Sequence, residues 1–134
     1  MTLTEEERKA LIALKVQKSH DTFMEAEGIS KLKFWNAVAN RLYYACYYIT
    51  SALLLKYSYS AQSHKGVISL LGLHFIQKGV LSRDSGKTYS RLFEMRQTGD
   101  YDDLFNLSEE DVLPLISAAE EYLNEVLKLI ENND

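Results

Sequence analysis

Between Trp35 and Tyr57 apolar and aromatic residues occupy nearly every helical azimuth. Trp35, Val38, Leu42, Ala45, Ile49 and Ala52 recur in steps of three and four, the spacing of one buried helical face. Tyr43, Tyr44, Tyr47, Tyr48, Leu53, Leu54 and Leu55 spill onto the remaining faces. A helix apolar on most sides must be covered on most sides, so this segment is read as the centre of a helical bundle. Part of it is expected in a subunit interface.

The flanking sequence supplies the covering helices. Thr4 with Glu7 forms a capping box, and its helix is expected to run to about Ala26 and stop at Gly28. Ser30 is the expected cap of the central helix. Ser63 opens a third helix through Val67, Ile68, Leu71 and Phe75, closed by Gly79. A fourth starts near Ser82 or Asp84 and ends near Gly99. Residues 100–107 read as an acidic loop. Ser108 and Asp111 open the last helix, where Pro114 fits best if Asp111 is the true cap or the first turn is kinked. Strand patterns, repeats and linkers are missing from the sequence. The expected fold is all-α, an up-and-down bundle of four to five helices in one domain over residues 1–134.

Composition narrows the function. Fifteen Lys and Arg against nineteen Asp and Glu give a net charge of -4, which argues against non-specific binding to duplex DNA. No apolar run approaches the ~20 residues needed to cross a bilayer, so no membrane association is expected. The acidic start Thr4-Glu5-Glu6-Glu7 is unlike a targeting signal, and a cytoplasmic location is the natural reading. The single Cys46 excludes an internal disulfide and multi-cysteine zinc sites. His20, His64 and His74 lack metal-ligand spacing, and no Gly-rich loop follows a strand, so neither a metal nor a cofactor is expected.

The densest chemistry lies in two segments, Asn40-Arg41-Leu42-Tyr43-Tyr44-Ala45 and Arg96-Gln97-Thr98-Gly99-Asp100-Tyr101. Arg41, Tyr44 and Tyr48 share one helical face, and Arg96 and Asp100 stand at i, i+4. An Arg there can bind phosphate bidentately while tyrosines donate hydrogen bonds and stack on a base. The plainer reading is a helix-end ion pair beside a tyrosine-rich core. His64 and Lys65, at a helix start, form a further candidate anion site, against a helix-start histidine bonded to a neighbouring loop.

Together with Ser63-His64-Lys65-Gly66-Val67 and Glu94-Met95-Arg96, these segments resemble the HEPN family of small prokaryotic helical proteins, in order and over nearly the whole chain. The resemblance implies a homodimer, frequent pairing with a small nucleotidyltransferase in toxin–antitoxin systems, and binding of nucleotide or RNA. Many members are metal-independent endoribonucleases with an Arg followed, after four to six residues, by a His. Here Arg96 and Gln97 match the start, but Tyr101, Asp102 and Asp103 stand where the His belongs. A phenol with an ordinary pKa of about 10 is a poor base at neutral pH, and losing a general acid–base group costs about 10²–10⁴-fold in rate. The ending is that of the Arg…Asp-Tyr branch. In other members the partner enzyme modifies a Tyr near the motif, and Tyr101 is the candidate equivalent.

Three readings follow. The first is a non-catalytic or weakly catalytic module that binds a nucleotide, RNA or a nucleotidyltransferase, with Arg41, Tyr44, Tyr48, His64, Lys65 and Arg96 as the anion site. The second is an endoribonuclease toxin using Arg96, Asp100 and Tyr101, or a displaced His64. The third is a structural interaction bundle.

Overall fold

The structure is a computed structural model describing residues 2–102 and 105–132, without the Tyr101 side chain. Five α-helices form among these residues: α1 (Glu5–Ser30), α2 (Trp35–Lys56), α3 (His64–Leu71), α4 (Arg83–Tyr101) and α5 (Glu109–Glu131). A π-helical turn, Gly72–Ile76, continues α3. The expected all-α bundle is the observed one.

The central helix is α2. It packs most extensively on α1, then on α5 and α4, and touches α3. Val38, Leu42, Ala45, Ile49 and Ala52 are buried as the three-four spacing requires, and Tyr43, Cys46, Leu53 and Leu54 are buried on its other sides. Neighbours within the chain therefore account for most of its apolar surface. The large apolar side chains left exposed lie elsewhere, including Leu14, Leu32, Phe34 and Leu73.

Local chemistry sets most helix ends. Thr4 and Glu7 form the capping box on α1, and Ser108 and Asp111 form one on α5. Ser108 is thus the α5 cap, not Asp111. Pro114 lies inside that helix, past the first turn, so it removes one i→i−4 hydrogen bond. Two further expectations are corrected. First, α1 passes through Gly28 to Ser30, whose hydroxyl donates back to the Glu27 carbonyl (2.6 Å) instead of capping α2. The turn is made by Lys33 at φ 63°, and Phe34 precedes α2 without a side-chain cap. Second, α4 continues beyond Gly99, so Asp100 is helical rather than in a loop.

Lys56 ties the end of α2 to the carboxyl end of α5 by donating to the Leu129 (2.8 Å) and Asn132 carbonyls. Glu125 of α5 holds the start of α4. Its carboxylate accepts from the Ser82 N–H (2.8 Å), the Ser82 hydroxyl (2.8 Å) and the Ser85 hydroxyl (2.6 Å). Burial opposes the charge on Glu125, but the Ser85 and Ser82 hydrogen bonds outweigh it and lower its pKa. Glu125→Ala should cost about 1–3 kcal/mol, because hydrogen bonds to a charged acceptor are lost and the buried Ser85 hydroxyl loses its partner. Thermal melting checks this, and an unchanged midpoint would show that the three contacts stabilise nothing.

Candidate functional site

Arg96 and His64 come from different helices and meet over the tyrosines of α2. Met95 is buried one residue before Arg96, which anchors this turn of α4 against α2. The Arg96 guanidinium lies 5.9 Å from the Tyr43 ring centroid and against the Tyr44 hydroxyl. One turn on, Asp100 Oδ2 is 3.5 Å from its Nη2. Burial alone would lower the Arg96 pKa, but the Tyr44 contact and the charge of Asp100 raise it, so the cation is secure.

His64 is the first residue of α3. Ser63 fixes that start by accepting from the Gly66 N–H (2.9 Å). A Cβ at Gly66 would crowd Ser63 Oγ at 3.1 Å and Ala61 Cβ at 3.3 Å. The His64 ring lies 4.5 Å from the Tyr47 ring and edge-on to Tyr44 at 5.7 Å. Its Nδ1 is 2.7 Å from the Tyr43 hydroxyl. Partial burial lowers the His64 pKa, the Arg96 charge lowers it further, and Asp100 only partly opposes them. The imidazole is therefore neutral near pH 7. Burial pushes the Tyr43 phenol up to about 12, against the opposing effects of Tyr89 and Arg96, so it too is uncharged.

The lowered His64 pKa gives a pH signature. Below pH 6.5, the ordinary value, the unfolded chain takes up a proton that the folded chain resists. The His64 contribution to stability is complete above pH 6.5 and is lost as pH falls through the lower folded value. His64→Gln should flatten the acid limb of the stability curve below pH 6.5 relative to wild type. Urea melts across that range check it, and parallel curves would contradict it.

The other expected anion-site residues extend this surface. Arg41 lies 5.5 Å from the Tyr44 ring and pairs with Glu25 at 3.5 Å; its Nη2 donates to Asn40 Oδ1 (2.9 Å). Tyr48 stands 6.0 Å from Tyr44, with Lys18 Nζ 4.7 Å from its ring. Arg41, Tyr44, Tyr48, His64 and Arg96 thus belong to one connected surface. Lys65 is exposed beside it. The Tyr101 side chain and Asp103 lie outside the described residues. The other two histidines are elsewhere. His20 is exposed, and His74 stacks on Tyr59 at 4.1 Å. Among the described residues no three His, Cys, Asp or Glu side chains converge on a metal position.

On the far side of Arg96 a cleft of about 300 Å³ opens between α2 and α4, lined by Asn36, Asn40, Arg96, Asp100, Asp102 and Phe105 among others. Asn36 builds its wall. The side chain donates to the Phe105 carbonyl (3.2 Å) and accepts from the Leu107 N–H (2.7 Å), clamping the α4–α5 loop to α2. Sequence reasoning missed Asn36, and it placed Tyr43 on the further faces of the central helix without naming it among the site residues. The i, i+4 pair Tyr43–Tyr47 was the available signal for a second aromatic face on α2.

The geometry is that of a fixed, partly desolvated guanidinium with phenol and imidazole neighbours at the edge of an open cleft. It can receive a phosphate and offer ring faces to a base. The HEPN domain model matches residues 13–130. The chain belongs to the HEPN family. A UPF0332 protein of Thermotoga maritima is 35% identical over 126 residues, covering 94% of this chain and 96% of its own. A Methanocaldococcus jannaschii protein named "putative toxin" is 26% identical, covering 88% of this chain and 81% of its own. A second from that organism, carrying the same name, is also 26% identical, covering 94% and 90%. The HEPN match spans all the elements that build the cluster, from α2 through α4. Among the described residues no helix is long and apolar enough to cross a membrane.

Proposed function

We propose that this HEPN protein binds the phosphate of a nucleotide or an RNA end at Arg96, with the Tyr44 and Tyr47 rings as a stacking surface. The observation that carries the reading is the guanidinium held between Asp100 and the Tyr43–Tyr44 pair, beside neutral His64, at the mouth of a cleft. Asp100 positions Arg96 without blocking it, since the pair is only partly buried. The "putative toxin" names of the Methanocaldococcus relatives support placing the protein in a toxin–antitoxin pair; a small nucleotidyltransferase as its partner is what the HEPN resemblance implies. Homodimerisation belongs to the same reading. Exposed Leu32 and Phe34, close to Asn36 at the cleft wall, are apolar surface available for it. Calorimetric titration with adenosine 5′-monophosphate and with a purified partner, on protein sized by light scattering, tests the proposal. Binding by a dimer is expected; a monomer that binds neither would refute it.

A second reading, the metal-independent endoribonuclease, is favoured by the placement of His64. That neutral imidazole lies near Arg96 from another helix, in a chain whose Arg96 is not followed by the motif His. It requires wild type to cleave single-stranded RNA and His64→Gln to leave it intact. Intact RNA with wild type eliminates it.

A further inference from the structure

The two readings of the site differ in what His64 must do, and a buried tyrosine decides between them. Tyr43 is wholly buried in α2, and its hydroxyl is the hydrogen-bond partner of His64 Nδ1 at 2.7 Å. Behind it lies Tyr89 of α4, also wholly buried, with ring centroids 5.8 Å apart. The Tyr89 hydroxyl has no hydrogen-bond partner among the described residues, so the Tyr43 oxygen is not engaged from that side.

A buried hydroxyl without an acceptor is costly, and His64 Nδ1 is the one acceptor given to the Tyr43 O–H among the described residues. The Tyr43 O–H proton therefore points to His64. Nδ1 is then the acceptor, and the single imidazole proton resides on the other nitrogen.

We infer that Tyr43 is a positioning residue that locks His64 in its Nε2–H tautomer, so that the imidazole serves the Arg96 site as a hydrogen-bond donor to an anion and not as a base. This rests on the anion-binding reading for its ligand and on the free protein alone for its tautomer. No bond is made or broken. His64 Nε2–H and the Arg96 guanidinium supply donors from two helices to one phosphate group, while Tyr47 backs the ring. A general base would need the lone pair at the exposed nitrogen, and this arrangement spends the lone pair on Tyr43 instead.

The test is a two-bond proton–nitrogen correlation spectrum of ¹⁵N-labelled protein at pH 7.5, with His64→Gln assigning the His64 signals. The Nε2–H pattern is expected in the free wild type. An Nδ1–H pattern overturns the inference. In Tyr43→Phe, which keeps the ring, the tautomer preference should relax, and adenosine 5′-monophosphate should bind about three- to tenfold more weakly. An unchanged His64 pattern in that variant overturns the role given to Tyr43. If Tyr43→Phe does not fold, the tautomer pattern of the wild type decides alone. The Nε2–H pattern in a wild type that binds no nucleotide would refute the anion reading while leaving the tautomer lock in place.

Discussion

Arg96→Ala is expected to weaken binding of adenosine 5′-monophosphate by about 10- to 100-fold while leaving the fold nearly as stable as before. The binding loss follows from removing a charge-assisted, potentially bidentate donor set that no neighbouring residue replaces. Arg41 is not a full substitute, because its Nη2 already donates to Asn40 Oδ1 at 2.9 Å. The small stability effect follows from where the side chain sits. An i, i+4 ion pair of this exposure contributes about 0.3–0.5 kcal/mol, and the contact with the Tyr43 ring adds about 0.5–1 kcal/mol. Arg96→Lys should not rescue binding fully, since an ammonium lacks the planar fork. Calorimetry and thermal melting on the same samples separate the two effects. A variant that binds as wild type would place the anion site elsewhere.

The largest stability loss is expected from Leu42→Ala. Leu42 has no exposed surface and lies in α2, which every other helix touches. Removing its buried methyl groups loses their transfer free energy and leaves a cavity, about 2–5 kcal/mol together. For a chain of this length that corresponds to a fall in melting temperature of roughly 10–20 °C. Leu14→Ala is the control. Leu14 is 64% exposed on α1, and its replacement should change stability by less than about 0.5 kcal/mol. Equal losses from the two variants would contradict the assignment of α2 as the centre of the bundle.

The fold was legible because a helix that is apolar all round can only be central, and because Thr4, Ser63, Ser82 and Ser108 are strong local caps. The misplaced ends share one physical cause. Gly28 and Gly99 lie in the last turns of α1 and α4, two residues before their ends, and neither takes the left-handed conformation by which a glycine stops a helix. Ser30, which could have capped α2, satisfies its hydroxyl on its own helix instead.

The candidate site was legible only in pieces. The faces carrying Arg41, Tyr44 and Tyr48, and Arg96 with Asp100, follow from helical periodicity within one element. The meeting of His64 with Tyr43 and Arg96 does not, because it depends on how α3 docks against α2 and α4. Periodicity gives the faces of a helix but not the angle at which its neighbour crosses it. Asn36 was hidden for a similar reason, since its partners lie in a loop about 70 residues away whose path no local pattern specifies.

The most direct test of the anion site is a ¹H–¹⁵N chemical-shift titration of wild-type protein with adenosine 5′-monophosphate. The account predicts saturable shifts centred on Tyr44, His64, Lys65 and Arg96, absent from the α1–α5 groove lined by Arg8, Lys9 and Lys56. Shifts confined to that groove, or none up to millimolar nucleotide, would contradict it.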